Sequence, residues 1–453
     1  MVTWLLRYLL LLLPAFLINC VGVDVFAAEI ISDLEKQLRR EPVTSQIVYA
    51  DKLINAKKMA NIKVKSSHLK KAEYLYHKAQ GVIGGHKFLK SDFVDLVRVV
   101  SYIRSKQKKR LIGSSKYTNI YVHPSEGVLR IPVQFYDNKH VYIHLKNFDL
   151  GKKFGGYKTF SRSIDFDTGK IFACLVAPIQ REKDKTSLLR ELSIQLSLSS
   201  LSYVLSFRDI GLYQGYRKGA LVHKFTFQTE LFESDLSLFY SKNVSAAHMA
   251  RIMLQASKAV SQMHLMGYIH RDIKPANLFI KNTQGNMKLV IADFGLSQSV
   301  AMPQFGKHLA GTRGYMDPRI SLNHAQKRWA CQTVKECELS DIYSLGISFY
   351  SLIKGRHNTL KQITNKVNNI ALPKDKQNPL PVHWIYRYLK DLDRAYQKAL
   401  DLTSSNRNSG GVLWSLEKIA LSMANPEPKK RPSLSFVIDA LERLNADLPA
   451  KDD

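Results

Sequence analysis

At 453 residues, with 45% hydrophobic residues, 21 Tyr and 20 Phe, the chain exceeds a single minimal domain and is too apolar to be mainly disordered. Its 67 Lys and Arg against 38 Asp and Glu give a formal net charge of +29, which excludes an acidic solvating chain and favours anionic contacts. Four cysteines without regular spacing exclude a disulfide framework and a zinc site.

Met1–Ala28 is predicted to be a secretory signal peptide. Arg7 gives a weakly basic start, Tyr8 to Val23 is almost wholly apolar, and Val25-Phe26-Ala27-Ala28 ends in small residues suited to a signal peptidase. The apolar run is short beside the ~20 residues of a membrane span, and left uncleaved it would anchor the chain to a membrane. Leu17-Ile18-Asn19-Cys20 resembles a bacterial lipoprotein acylation site, but Asn19 stands where a small residue is usual. Beyond the leader remain Cys174, Cys331 and Cys337, of which the last two either pair in an oxidising compartment or stay as buried thiols.

Residues 29–112 read as a basic helical accessory region. Apolar groups recur every three or four positions over 45–62 and 67–82, Gly84-Gly85 breaks the pattern, and Ser91 caps a further helix through Ile103. That helix runs into Lys106, Lys108, Lys109 and Arg110, cations that suit a helix carboxy-terminus. From Glu29 to Lys146 there are 23 Lys and Arg against 10 Asp and Glu, a surface suited to an anionic membrane or an acidic partner. A solvated basic face without a dedicated partner is the alternative, and no specific nucleic-acid signature accompanies the charge. Residues 113–146 form a strand-rich connector, with β-branched and aromatic alternation at 120–122, 128–136 and 141–145.

The segment 147–448 begins with a glycine-bearing loop, Leu150 to Phe160, in which Gly155 and Gly156 allow close backbone approach to a ligand. A strand follows, Thr168 to Leu175, and then a helix over 187–198 carrying Glu191. Strand, link and short helix are expected over 225–239, and Ser245 caps a helix through Met266 that Gly267 stops. Next comes His270-Arg271-Asp272-Ile273-Lys274-Pro275-Ala276-Asn277, then Ile291-Ala292-Asp293-Phe294-Gly295. Asp272 can accept a hydroxyl proton, Lys274 can offset phosphoryl charge, and Asn277 with Asp293 offers the hard oxygens that Mg²⁺ prefers.

These two blocks resemble the catalytic and metal-binding loops of eukaryotic-type protein kinases of the Ser/Thr type. The resemblance implies a two-lobed α+β kinase-like fold over 147–448, preceded by the helical region, with a small lobe at 147–230 and a large lobe at 231–448. It implies ATP and Mg²⁺ as cofactors and a protein substrate with a Ser or Thr hydroxyl. Asp272 would be the base and Lys274 its electrostatic aid, with Asn277 and Asp293 on the metal and Gly155 and Gly156 in the nucleotide loop. His270, Arg271, Phe294 and Gly295 fall within the family's loop motifs. Gly311-Thr312-Arg313-Gly314-Tyr315-Met316-Asp317-Pro318-Arg319 resembles the peptide platform, with Thr312 and Lys274 in the Ser/Thr pattern. Ser297 and Ser299 are candidate phosphosites of the segment before it.

Two departures matter. Leu175 stands where the family's strand lysine holds the phosphates, and Lys158, in Tyr157-Lys158-Thr159-Phe160, is the candidate replacement, as in with-no-lysine kinases. Glu191 would pair with it. Arg319 replaces the glutamate that pairs with the arginine matched by Arg431, two cations cannot form that clamp, and Asp317 is expected to take its place. Asp341 matches the aspartate that holds the catalytic-loop backbone. Residues 355–411, basic and rich in Asn, have no assigned role. The alternatives are a pseudokinase scaffold and a kinase-fold enzyme acting on a lipid, sugar or other small molecule. A leader takes the chain away from cytosolic ATP, which export from a bacterium into a host, or residence in an ATP-supplied secretory lumen, would reconcile.

Overall fold

The computed structural model describes residues 61–80, 88–107, 119–123, 131–136, 140–144, 159–179, 181–217, 220–241, 244–283, 286–302, 305–326, 328–355, 358–371, 382–405 and 411–448, with positions 28, 31, 32, 47–49 and 58. The leader up to Ala27, the loop with Gly155 and Gly156, and Lys158 lie outside them. The chain forms two compact units, one of residues 28–189 and 206–231, the other containing 190–205 and 232–453.

The first unit is built on an eight-stranded sheet. Its strands are β1 (Ile47–Tyr49), β2 (Asn119–His123), β3 (Val133–Tyr136), β4 (His140–His144), β5 (Thr159–Asp165), β6 (Ile171–Ile179), β7 (Phe207–Arg217) and β8 (Ala220–Glu230). They lie in the order β1-β2-β3-β4-β5-β6-β8-β7, with only β1 and β2 parallel among the described strands. β7 also approaches β1, β2 and β3, so the sheet curls towards closure and its edges are protected. Ile47-Val48-Tyr49 forms a strand where the apolar spacing over 45–62 predicts helix. Two β-branched residues in succession and an available partner in β2 outweigh the three-to-four periodicity.

Alternation assigns the two faces of this sheet to different chemistry. Val133, Phe135, Val141, Ile143 and Ile164 pack against Leu75, Phe93, Leu96 and Val100 of the helices α1 (Ser66–Gln80) and α2 (Lys90–Gln107). The opposite face carries buried polar groups in mutual hydrogen bonds. Gln134 Nε2 donates to Thr226 Oγ1 at 2.9 Å, Tyr136 Oη to the same oxygen at 2.8 Å, and Ser163 Oγ to Gln228 Oε1 at 2.7 Å. Burial pushes the Cys174 thiol beneath them up to about 12, so it stays protonated. The basic helices and connector strands therefore share one core with the sheet that bears Leu175, and the expected boundaries at 112 and 146 fall inside this unit.

The helix α3 (Glu182–Ser197) carries its residues from Arg190 onwards into the second unit. There Ile194 and Leu198 join a core with α4 (Ala246–Leu265), whose cap is the expected Ser245, accepting from His248 N. Gly267 ends that helix at φ +76°, a conformation that glycine adopts without penalty. A small sheet follows in the order β12-β11-β9, from β9 (Ser234–Asp235), β11 (Leu278–Thr283) and β12 (Asn286–Ile291), beside the pair β10 (Tyr268–Ile269) and β13 (Gln298–Ser299). The remaining helices are α5 (Pro318–Ala325), α6 (Val334–Lys354), α7 (Thr359–Ala371), α8 (Val382–Ser405), α9 (Val412–Met423) and α10 (Leu434–Ala446). The unassigned stretch after Gly355 thus folds largely as α7 and α8, with Leu360, Leu392, Tyr396 and Ala399 in the core. Among the described residues no helix is long and apolar enough to cross a membrane.

Candidate active site

The hairpin β11–β12 brings the expected metal ligands together. Leu278 pairs with Ile291, and Ala292 N donates to Asn277 O at 3.0 Å, so Asn277 enters the hairpin where Asp293 leaves it. The Asn277 side chain turns its nitrogen to Asp272, donating to the backbone oxygen at 2.8 Å and to Oδ2 at 3.3 Å. Its oxygen is then the end available to a cation. Asp293 sits at φ +67°, sparsely populated for a residue with a side chain, and its carboxylate does not cap the short helical turn that it begins.

Gly295 lies against two carboxylates. A Cβ built there would stand 3.3 Å from Glu191 Oε2 and 3.6 Å from Asp293 Oδ1, so a side chain would press on both. Arg190 Nη2 donates to Gly295 O at 3.1 Å and ties α3 to this loop. Two acidic groups around one small residue fit a site that holds a cation. Leu175, on β6 in the other unit, lies directly across from Phe160 on β5.

Asp272 is buried, and both its carboxylate oxygens are held. Thr312 Oγ1 donates to Oδ1 at 2.6 Å, and Lys274 Nζ donates to Oδ2 at 2.6 Å and to Thr312 Oγ1 at 2.8 Å. Asp272, Lys274 and Thr312 thus form one closed triangle. Gly311 permits the approach of the platform, because at φ +130° a Cβ there would stand 2.9 Å from Arg271 O.

The loop backbone hangs on Asp341 of α6. His270 N and Arg271 N each donate to its carboxylate at 2.8 Å, and His264 Nε2 lies 3.0 Å away. Burial pushes this carboxyl up, but the hydrogen bond and charge of His264, with the charge and N–H of His270, outweigh it and hold Asp341 below the ordinary aspartate value. Arg271 has φ +70°, a strain that these bonds hold in place. Its guanidinium donates to Gln298 Oε1 at 2.6 Å and to His308 O, tying the catalytic loop to the segment leading to Thr312. His270 is fully buried, faces the Phe294 ring at 5.4 Å between centroids, and places Nε2 3.2 Å from Ala292 O.

Arg431 is fully buried and donates to Asp317 Oδ2 at 2.5 Å and to Leu339 O at 2.8 Å. Asp317 is thus the partner expected in place of the missing glutamate, while Arg319 donates from Nε to Pro426 O at 2.5 Å. Ser297, one of the two candidate phosphosites, is buried and donates to His270 O at 3.2 Å. The two readings left open for Cys331 and Cys337 resolve as a disulfide with a Cα–Cα distance of 5.6 Å. Cys331 N donates to Gly306 O at 3.1 Å, and Val300, Phe305 and Leu309 pack against the bridged pair, so the bridge lies against the segment before Thr312. His264 and Gln298 were not among the expected site residues. His264 falls three residues before the helix-stopping Gly267, a weak signal for a cation facing the loop.

The protein kinase domain family model matches residues 149–441, more than half of the chain. The chain is 25% identical over 238 residues to calcium-dependent protein kinase 27 of Arabidopsis thaliana, covering 51% of this chain and 46% of that protein. It is 24% identical over 355 residues to L-type lectin-domain containing receptor kinase VIII.1 of Arabidopsis thaliana, 75% of this chain and 44% of that one. Calcium-dependent protein kinase 33 of Arabidopsis thaliana is 30% identical over 193 residues, 42% of this chain and 34% of that protein. The chain spans less than half the length of these relatives.

Proposed function

Because the chain belongs to the protein kinase domain family, we propose that it transfers the γ-phosphoryl group of ATP to Ser or Thr hydroxyls of proteins. The observation that carries this reading is the triangle of Asp272, Lys274 and Thr312, with Asn277 bonded to Asp272 from the metal-ligand side. The names of the relatives support protein hydroxyls as acceptors. Asn277 and Asp293 would hold Mg²⁺, which would supply positive charge against the ATP phosphates. Asp272 orients the acceptor hydroxyl and takes its proton as transfer proceeds. Lys274 offsets the negative charge spread over the moving group. Thr312 fixes the carboxylate and the ammonium in one geometry, and Asp341 fixes the loop that carries both.

Lys158 takes the place of the strand lysine in this proposal, with Glu191 as its partner; the absence of a cation at Leu175 supports it. Leu175 also favours a second reading, a scaffold that binds partners without transfer. Incubating the full chain with labelled ATP and a Ser/Thr peptide mixture separates the two. Transfer to Ser or Thr that needs Mg²⁺ and falls roughly 10²–10⁴-fold in Asp272→Asn is expected. Absence of transfer with folded protein and Mg²⁺ leaves the scaffold.

The apolar leader supports export, and the Cys331–Cys337 disulfide agrees with an oxidising destination. Mass spectrometry of the mature amino-terminus is expected to find Met1 to about Ala28 removed; an intact Met1 on protein retained in the cytosol contradicts it. The excess of basic residues over 29–146 supports contact with an anionic membrane or an acidic partner.

A further inference from the structure

We infer that Gln298 is a positioning residue that seats Thr312 against Asp272 with no phosphate on the segment 297–311 that leads to Thr312. This rests on the phosphotransfer reading of Asp272. Gln298 is buried on β13, where it pairs with Ile269 of β10, the residue before His270. Two stretches of chain meet on its side-chain oxygen. Arg271 Nη1 donates to Oε1 at 2.6 Å, and Gly306 N donates to it at 3.3 Å. Arg271 also donates from Nη2 to His308 O. One amide thus joins the residue before Asp272 to the backbone six residues before Thr312. Thr312 Oγ1 closes the far side by donating to Asp272 Oδ1 at 2.6 Å.

Gly306 is held from its other side as well. Its carbonyl accepts from Cys331 N at 3.1 Å, and at φ +75° a Cβ there would collide with Cys331 O, a backbone atom that cannot turn aside. The bridge to Cys337 fixes Cys331 in turn. The segment therefore has an anchor at Gly306 made of backbone, one buried amide and a disulfide. Phosphorylation orders such a segment by giving an arginine a charged acceptor. Here Arg271 already has two acceptors on the segment, the Gln298 amide and the His308 carbonyl. From Ser297 to Gly311 the only side-chain hydroxyls are those of Ser297 and Ser299. Ser297 Oγ donates to His270 O at 3.2 Å, and Ser299 Oγ accepts from Ala301 N at 3.3 Å. A neutral amide serves as the acceptor because it is buried, where a hydrogen bond from a guanidinium is stronger than in water.

Hydrogen exchange over residues 305–311 of the full chain, read against α4 as the reference for global opening, measures the hold of Gln298 whether or not phosphate is transferred. Gln298→Met removes the amide at similar length, and Gln298→Glu keeps an acceptor for both donors. Expected in Gln298→Met is exchange about five- to tenfold faster over 305–311 with α4 unchanged, while Gln298→Glu stays within about twofold of wild type. In transfer from Mg-ATP, kcat falls about tenfold in Gln298→Met with KM for ATP unchanged, and Gln298→Glu recovers most of it. Phosphatase treatment of the wild type, checked by mass spectrometry, leaves exchange and kcat as they were. Wild-type exchange or wild-type kcat in Gln298→Met, or a loss that falls on KM for ATP instead of kcat, overturns the inference. So does a Gln298→Glu variant as defective as Gln298→Met, or a phosphate on Ser297 or Ser299 whose removal lowers either readout. Should Gln298→Met fail to fold, the Gln298→Glu and phosphatase arms still decide it. No transfer by the wild type, with the expected exchange pattern, would defeat the catalytic reading alone; transfer that Gln298→Met does not slow would defeat this one alone.

Discussion

Asp341 illustrates how one carboxylate can shape a site that it does not enter. It accepts from two successive backbone N–H groups, which holds Arg271 in its left-handed conformation and so aims the next residue, Asp272. Asp341→Asn is expected to cost about 1–3 kcal/mol at neutral pH and to lower phosphotransfer further than the stability loss accounts for. Because the folded carboxyl is held below its ordinary value of 3.8, the folded state binds its proton less readily than the unfolded one. Its contribution is therefore complete above that value and fades as pH falls through and below it. Denaturant midpoints measured from pH 7 downwards should show wild type and Asp341→Asn converging in acid; a constant gap refutes the account. Asp317→Ala should be harsher, about 3–5 kcal/mol, because it leaves Arg431 charged in a fully buried position. Retention of full stability and activity in Asp317→Ala would show that Arg431 is satisfied by the carbonyls alone.

Between elements, Gly346 is where α6 meets α9. A Cβ there would stand 2.6 Å from Ala424 N and 2.9 Å from Ala420 O, both backbone atoms that cannot rotate aside. Gly346→Ala should cost roughly 1–3 kcal/mol as α9 is pushed off, and a thermal midpoint unchanged from wild type would rule out this packing. The Cys331–Cys337 bridge closes a short loop against the segment carrying Gly306, and its removal in the double Ser variant should lower stability by about 2 kcal/mol. A double variant as stable as the oxidised protein would show that the bridge does not constrain the chain. Element positions were largely legible in the sequence, because caps and stops are local: Ser245 and Gly267 each mark a helix end in the structure. The strand at 47–49 was not, because its partner lies more than 70 residues away and its own apolar spacing suits a helix. Nor were α7 and α8 assigned: Asn358 Oδ1 caps α7 by accepting from Lys361 N at 2.9 Å, but this cap is one Asn among several in a polar stretch.

At the scale of the molecule, the helical region and the connector extend the small sheet into a curled eight-stranded one with a shared core, instead of standing as separate appendages. The site was more legible than the architecture, since Asp272, Lys274, Asn277 and Thr312 follow from the chemistry proposed for them and meet in the structure at hydrogen-bond distance. What escaped were the supports, His264 and Gln298, because a residue that only steadies a loop has no spacing rule. On the proposed function, this assembly moves a phosphoryl group with a lysine displaced from its usual strand. Transfer of labelled γ-phosphoryl from Mg-ATP, compared among wild type, Asp272→Asn and Lys158→Met, tests it most directly. Transfer by the wild type and its loss in both variants is the expected result; transfer undiminished in Asp272→Asn, or none by folded wild type, contradicts it.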